Sequence, residues 1–174
     1  MKQYDILYFV LKRIIDITGS LFLLAIFFVP SIIIAIAIKL ESQGPVLADT
    51  PKRVGQNGKL FKMYKFRSMI ANAHDILRTN PQFKKLLDEY KSNSFKLKND
   101  PRITKVGKFI RKHSLDEIPQ LLNVLKGEMS LVGPRAYYPD ELRDQQEKFP
   151  QTKEHVNEML TVKPGVTGVW QVSG

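Results

Sequence analysis

ITGSLFLLAIFFVPSIIIAIAI, residues 17–38, is a run of 22 residues without a charge, bounded by Asp16 and Lys39 and broken near its middle by Pro30. Rising about 1.5 Å per residue as a helix, such a run is long enough to cross the hydrocarbon core of a bilayer. Pro30 argues against a plain span. Proline has no N–H to give and its ring collides with the carbonyl four residues back, so the helical ladder is predicted to break within residues 26–30, with Ser31 beside it to bond freed backbone groups. Two geometries remain open, a kinked span and a re-entrant helix–break–helix that returns to its own side. Lys2, Lys12 and Arg13 precede the run, and Lys39, Lys52, Arg53, Lys59, Lys62 and Lys65 follow it. Positive charge on both sides favours the re-entrant form with both ends cytoplasmic. A cleaved secretory leader fits poorly, because residues 38–42 (IKLES) offer no small-residue cleavage site.

Working outward, residues 40–174 carry 23 Lys and Arg against 15 Asp and Glu in a chain whose net charge is +10. A surface of that sign suits anionic partners: lipid headgroups, nucleotides, polyprenyl phosphates or nucleic acid. There is no cysteine, which excludes disulfides, thiolate metal sites and a cysteine nucleophile. The expected organisation is an N-terminal re-entrant membrane helix hairpin over residues 1–40 and one compact cytoplasmic domain over residues 41–174. No internal repeat is visible.

Within the second part the predicted elements are short and the loops long. Residues 45–70 alternate apolar and polar types around Gly55 and Gly58, predicting a small β-hairpin. Residues 71–92 predict an amphipathic helix interrupted at Pro81, residues 105–127 two short helices ending at Gly127, and residues 138–160 a polar helix. KPGVTG, residues 163–168, reads as a turn, with Trp170 packed under it or at the membrane interface. The fold class is thus mainly α with a small β-hairpin, an α+β arrangement lying at the membrane interface.

The chemistry concentrates between Asp100 and Arg135. Asp116 and Glu117 are adjacent carboxylates with Arg111 and Lys112 upstream and Pro119 downstream. Proline is tolerated in a helix's first turn, so a helix is predicted to start near Asp116 or Glu117, with both acids kept ionised at its positive end. That setting suits a nucleophile or a ligand for a divalent metal beside phosphate. The blander alternative is a capping box, for which Ser114 and Glu117 have the spacing. Arg111 and Arg135, the latter in a Gly-Pro-Arg turn, carry the rigid fork that matches phosphate oxygens, although each taken alone also reads as a solvated charge. His74, His113 and His155 lack ligand spacing and read as surface residues. The basic, aromatic run of residues 59–67 (KLFKMYKFR) fits a nucleic-acid face or a strand resting on anionic lipid. Charge and that run alone would describe a membrane-tethered nucleic-acid or anionic-lipid binding module, which leaves the paired acids beside arginines unexplained.

Three ordered motifs, KMYKFRSM at 62–69, KNDPRITKVGKFIRKHSLDEIPQLLNVLKGEMSLVGPR at 98–135 and KPGVTGVWQVSG at 163–174, resemble the bacterial sugar transferase family, the monotopic phosphoglycosyl transferases. The resemblance covers almost the whole chain, from about residue 11 onward. It implies transfer of a sugar 1-phosphate from a UDP-sugar to undecaprenyl phosphate with release of UMP, at the cytoplasmic face of the bacterial inner membrane. It implies Asp116 as covalent nucleophile, Glu117 associated with magnesium (Asp116 beside it as a second donor), Arg111 and Arg135 on phosphate, and Pro30 with Ser31 as the membrane break. Relatives often have serine before the proline, where this chain has Val29. Residues 65–102 resemble the galactose or glucose 1-phosphate enzymes. The implied partners are the UDP-sugar, undecaprenyl phosphate and membrane lipid, without nucleic acid, and a homodimer is left open. Relatives continue beyond the Val-Ser-Gly at 172–174, so a C-terminal tail is expected to be missing.

Overall fold

The computed structural model describes residues 3–92, 97 and 100–172. Helix α1 (Gln3–Ile26) and helix α2 (Phe28–Glu41) meet at Phe27 in a bend of 61°. The bend lies where proline chemistry puts it. Phe27 N–H still reaches the Leu23 carbonyl (2.9 Å) and Ser31 N–H the Phe27 carbonyl (2.8 Å), while Pro30 has no N–H for the carbonyl of Ile26. Among the described residues Ser31 enters this join through its backbone, not its hydroxyl. No single described helix is long and apolar enough to cross a membrane, whereas the bent pair is so when taken together.

The remaining elements follow in short pieces. Strands β1 (Arg53–Val54) and β2 (Leu60–Phe61) pair antiparallel, Arg53 opposite Phe61, which is the predicted hairpin. Helices α3 (Ala73–Thr79) and α4 (Lys84–Ser92) are separated by a 3₁₀ turn at Pro81–Phe83, where Asn80 accepts from Gln82 N–H and Pro81 cannot continue the ladder. Helix α5 (Lys105–Lys112), a 3₁₀ turn at Leu115–Glu117 and helix α6 (Gln120–Lys126) come next, and Gly127 closes α6 in the left-handed conformation at φ 80°. Two expectations need correction. The polar helix of residues 138–160 is two helices, α7 (Pro139–Lys148) and α8 (Lys153–Met159), because Pro150 starts a new 3₁₀ turn between them. The KPGVTG segment is more than a turn: β4 (Gly165–Thr167) pairs in parallel with β3 (Ser130–Val132), Ser130 opposite Gly165. Gly165 permits that approach, since a Cβ there would fall 2.1 Å from Gly133 N. A last turn of helix, α9, spans Val169–Val172; the Trp170 side chain lies outside what is described. Mostly helical with two small sheets, the fold is of the α+β kind expected.

The helix pair shares the core of the rest. Ile34 and Ile38 of α2 are buried with Phe66, Ile110, Ile118 and Leu121, and Leu23, Leu24 and Phe27 pack on them. A second cluster, Phe61, Met63, Val124, Met129 and Ala136, lies under β2 and α6. The other side of the pair is apolar and exposed: Leu21, Phe22, Ile26, Phe28, Val29, Ile32, Ile33 and Ile36. Buried charge fastens the base of α1. Asp16, 3% exposed, accepts from Lys12 (2.6 Å), the Ser130 hydroxyl (3.0 Å) and Leu131 N–H (3.0 Å). Arg13 forks onto the Val124 and Leu125 carbonyls at the end of α6 (2.6 and 2.8 Å), groups a helix terminus leaves unpaired.

Candidate active site

A short extended segment, residues 65–67, threads between α2 and the turn that carries the two acids. Phe66 N–H donates to the Asp116 carbonyl (2.9 Å), Lys65 Nζ to Glu117 Oε1 (2.7 Å), and Arg67 to the last carbonyls of α2 and the loop beyond it, Ile38 (3.4 Å), Ser42 (2.8 Å) and Gln43 (2.5 Å). This placement takes residues 65–67 out of the surface expected for lipid or nucleic acid, while Lys59, Leu60 and Lys62 of the same run stay exposed. Arg67 is buried, Phe66 is core, Lys65 is committed to Glu117 and Lys62 is paired with Asp49 (3.1 Å).

The acids do not open a helix. Ser114 turns left-handed at φ 55°, residues 115–117 form the 3₁₀ turn, and α6 starts only at Gln120 with Pro119 flanking it. The Ser114 side chain makes no cap, so the capping-box spacing is not used; Glu117 N–H bonds the Ser114 carbonyl instead (3.2 Å). Asp116 is 7% exposed, and no side chain among the described residues hydrogen bonds to its carboxylate. What differs from the expectation is the setting: the acid is buried in a 3₁₀ turn and not placed at a helix's positive end. Burial raises its pKa above the ordinary aspartate value, Lys65 opposes this, the neighbouring Glu117 adds to it and Arg111 opposes. The result is a more basic, poorly solvated carboxylate.

Asp116, Glu117, Arg111 and Arg135 all line one open cleft of about 770 Å³. Arg111 stands exposed at the end of α5, a helix held at its other end by two caps: Thr104 accepts from Gly107 N–H (2.9 Å), and the Glu41 carboxylate, from the end of α2, accepts from Lys105 N–H (2.6 Å) and Val106 N–H (3.0 Å). Gly107 lets α5 lie against Ser68, whose carbonyl would sit 1.9 Å from a Cβ. Arg135 is steadied by Glu141 (2.9 Å) from the first turn of α7. Arg53 also lines the cleft, its guanidinium 3.2 Å above the Tyr138 ring, bonded to the Ala136 carbonyl (3.1 Å) and 3.8 Å from Glu141. Asp100 and Arg102 form a buried pair at 2.6 Å in the wall. His74 is half-buried against Tyr138, not on the surface.

Sequence reasoning missed Lys65, Glu141, Arg53 and Glu41. Lys65 lay within a quoted motif but carried no sign of its partner 52 positions away. For a metal, the described residues contain no group of three His, Asp or Glu side chains. Two adjacent carboxylates, one with an oxygen bonded to Lys65, nevertheless fit magnesium, which commonly takes one or two carboxylates and completes its shell with substrate phosphate and water.

Known proteins align with this arrangement along the chain. The chain is 47% identical over 164 residues to the undecaprenyl-phosphate galactose phosphotransferase of Salmonella typhimurium, covering 94% of this chain and 33% of that protein. It is 44% identical over 183 residues to the galactosyl transferase CpsE of Streptococcus agalactiae, covering 100% of this chain and 36% of the relative. With the exopolysaccharide production protein ExoY of Rhizobium meliloti the identity is 39% over 169 residues, covering 94% and 69%. The chain thus spans about a third of the length of the first two relatives. A paired-acid cleft flanked by arginines, a proline-bent apolar helix pair and a family model matching residues 7–174 agree: the chain belongs to the bacterial sugar transferase family.

Proposed function

We propose that this chain transfers galactose or glucose 1-phosphate from a UDP-sugar to undecaprenyl phosphate, giving undecaprenyl-diphospho-sugar and UMP, the first membrane step of exopolysaccharide, capsule or O-antigen synthesis. The observation that carries the proposal is the single cleft in which a buried, basic carboxylate, Asp116, meets Glu117, Lys65, Arg111 and Arg135. Asp116 attacks the sugar-bearing phosphorus. The bond from that phosphorus to the bridging oxygen breaks and UMP leaves with the electron pair. An oxygen of undecaprenyl phosphate then attacks the same phosphorus and returns Asp116 as a carboxylate, a two-step exchange through a covalent intermediate. Arg111 and Arg135 neutralise the phosphate oxygens as charge shifts, which is most of what phosphoryl transfer asks of a protein. Lys65 keeps Glu117 in place and draws Asp116 toward its charged form. Magnesium, held by Glu117 with Asp116 beside it, would screen the approach of negative groups.

The exposed apolar side of α1 and α2 supports a re-entrant hairpin at the cytoplasmic face of the inner membrane. Each arm beyond Asp16 is about ten residues, on the order of 15 Å, half the hydrocarbon thickness of about 30 Å. A polyprenyl phosphate headgroup at that interface would meet a UDP-sugar arriving from the cytosol. The test is UMP release by the purified chain in detergent, with undecaprenyl phosphate and a panel of UDP-sugars. Release with UDP-galactose or UDP-glucose is expected. Silence with every UDP-sugar, together with salt-dependent DNA binding, would favour a tethered binding module instead.

A further inference from the structure

We propose that the arm of the cleft walled by Arg53, His74 and Tyr138, with Thr50 in the same cleft lining, is a nucleobase subsite that selects uracil. The phosphoryl-transfer reading supplies the nucleotide; the new content is where its base goes and which side chains recognise it.

The cleft is far larger than a phosphate needs and falls in the size range of nucleotide-sized sites. Its cations at the Asp116 end account for the phosphates, and Glu141 connects that end to the other arm: it holds Arg135 at 2.9 Å through one oxygen and lies 3.8 Å from Arg53 through the second. Arg53 is therefore one carboxylate further along than the phosphate cation. Its guanidinium carbon lies 3.2 Å from the centre of the Tyr138 ring, and His74 lies beside the same ring, centroids 6.2 Å apart and 35° inclined. Flat π and guanidinium surfaces are what a base stacks on.

Three polar atoms of the cleft residues point to hydrogen bonding as well. Among the described residues Arg53 Nε, Thr50 Oγ1 and His74 Nε2 are buried and hold no hydrogen bond, and all three residues line the cleft. Leaving a buried polar atom unpaired costs about 1–3 kcal/mol, so three among the residues of one cleft call for an account. All three atoms are shielded from solvent, so engaging a ligand takes a side-chain movement. Uracil presents two carbonyl acceptors and one N–H donor. Arg53 Nε–H and the Thr50 hydroxyl match the carbonyls, and a neutral His74 accepts the N–H. Burial, with Arg78 nearby, keeps His74 below its ordinary pKa and so neutral at pH 7. Cytosine inverts this pattern, with an amino group in place of one carbonyl and an acceptor in place of the N–H.

The experiment measures binding of UMP, CMP and inorganic pyrophosphate to the full chain by calorimetry, for wild type, His74→Ala and Thr50→Val, with melting curves to confirm folding. Wild type should prefer UMP to CMP. His74→Ala should weaken UMP about tenfold, leave pyrophosphate unchanged and narrow the UMP/CMP ratio, with Thr50→Val acting in the same direction. Unchanged UMP affinity in both variants, or a parallel loss of UMP and pyrophosphate, would overturn the subsite while leaving wild-type UMP release, and hence the functional reading, untouched. A change in UDP-galactose against UDP-glucose preference with UMP affinity intact would assign the arm to the sugar and equally overturn the proposal. A wild type that neither binds uridine nucleotides nor releases UMP would overturn both.

Discussion

The helix pair α1–α2 and the globular part solve opposite problems with the same residue types. The pair keeps Phe22, Ile26, Val29 and Ile33 outside, while the globular part keeps Ile110, Val124 and Met129 fully inside and directs its charges into a cleft. The two meet where charge is committed to backbone and counter-ion: Lys12, Arg13 and the buried Asp16 at one join, the buried Arg67 and the exposed Glu41 at the other. The difference teaches that the pair is no detachable anchor. Its end is tied to the backbone that positions Asp116 and to the helix that ends in Arg111.

The strongest way to break that comparison is at the joins. Replacing Asp16 with Leu leaves the Lys12 charge without its counter-ion and Leu131 N–H without its acceptor, and Arg67→Ala strips the end of α2. Asp16→Leu should cost about 3–5 kcal/mol in urea titrations followed by circular dichroism, the range for leaving a charge without its buried partner, and Arg67→Ala about 1–3 kcal/mol for the carbonyls it leaves unpaired. Asp49→Ala, which removes an exposed partner of Lys62, should cost no more than about 1 kcal/mol. Equal losses at all three sites would show that the joins are not special.

Next in size come the cations of the cleft. Arg111→Ala and Arg135→Ala should each raise the barrier by about 2–4 kcal/mol in turnover assays, and Lys should restore only part, because a point charge does not copy the fork. Full activity in both Ala variants would remove them from the site. Pro30→Leu sharpens the other side of the comparison by restoring the helical ladder, lifting a penalty on the order of 3 kcal/mol at the bend. If both ends are cytoplasmic, as proposed, single cysteines at Gln3 and Gln43 should both resist an impermeant thiol reagent in intact cells. Pro30→Leu should make Gln3→Cys reactive in a fraction of molecules, and labelling of Gln3→Cys without that change would show a span.

The smallest effect concerns Asp100. Burial alone would raise its pKa, but the Arg102 fork overrides this and holds it below the usual aspartate value. A depressed carboxylate stabilises the fold above its unfolded pKa of about 3.9 and loses that contribution as pH falls through the lower folded value. Asp100→Asn should therefore cost about 2 kcal/mol at pH 7, and the difference from wild type should shrink below pH 4.

What was legible in the sequence was local. Pro30, the Gly55–Gly58 turn, Pro81 and Gly127 each act within a few residues, and each break appears where it was expected. Pro150 was an equally local signal that went unused. The parallel pairing of residues 130–132 with 165–167, the Lys65–Glu117 bond and the grip of Glu141 on Arg135 depend on the path of the chain through space. For the same reason the acids could be named while their setting was misjudged: an adjacent arginine is visible in sequence, the burial that raises Asp116 is not.

The central claim is that Asp116 becomes covalently loaded. Incubating the protein with UDP-sugar and magnesium, without undecaprenyl phosphate, should release UMP in an amount no greater than the enzyme and leave a hexose-phosphate mass on the peptide containing Asp116, both signals vanishing in Asp116→Asn. UMP released only after undecaprenyl phosphate is added, with no adduct at any time, would contradict the account.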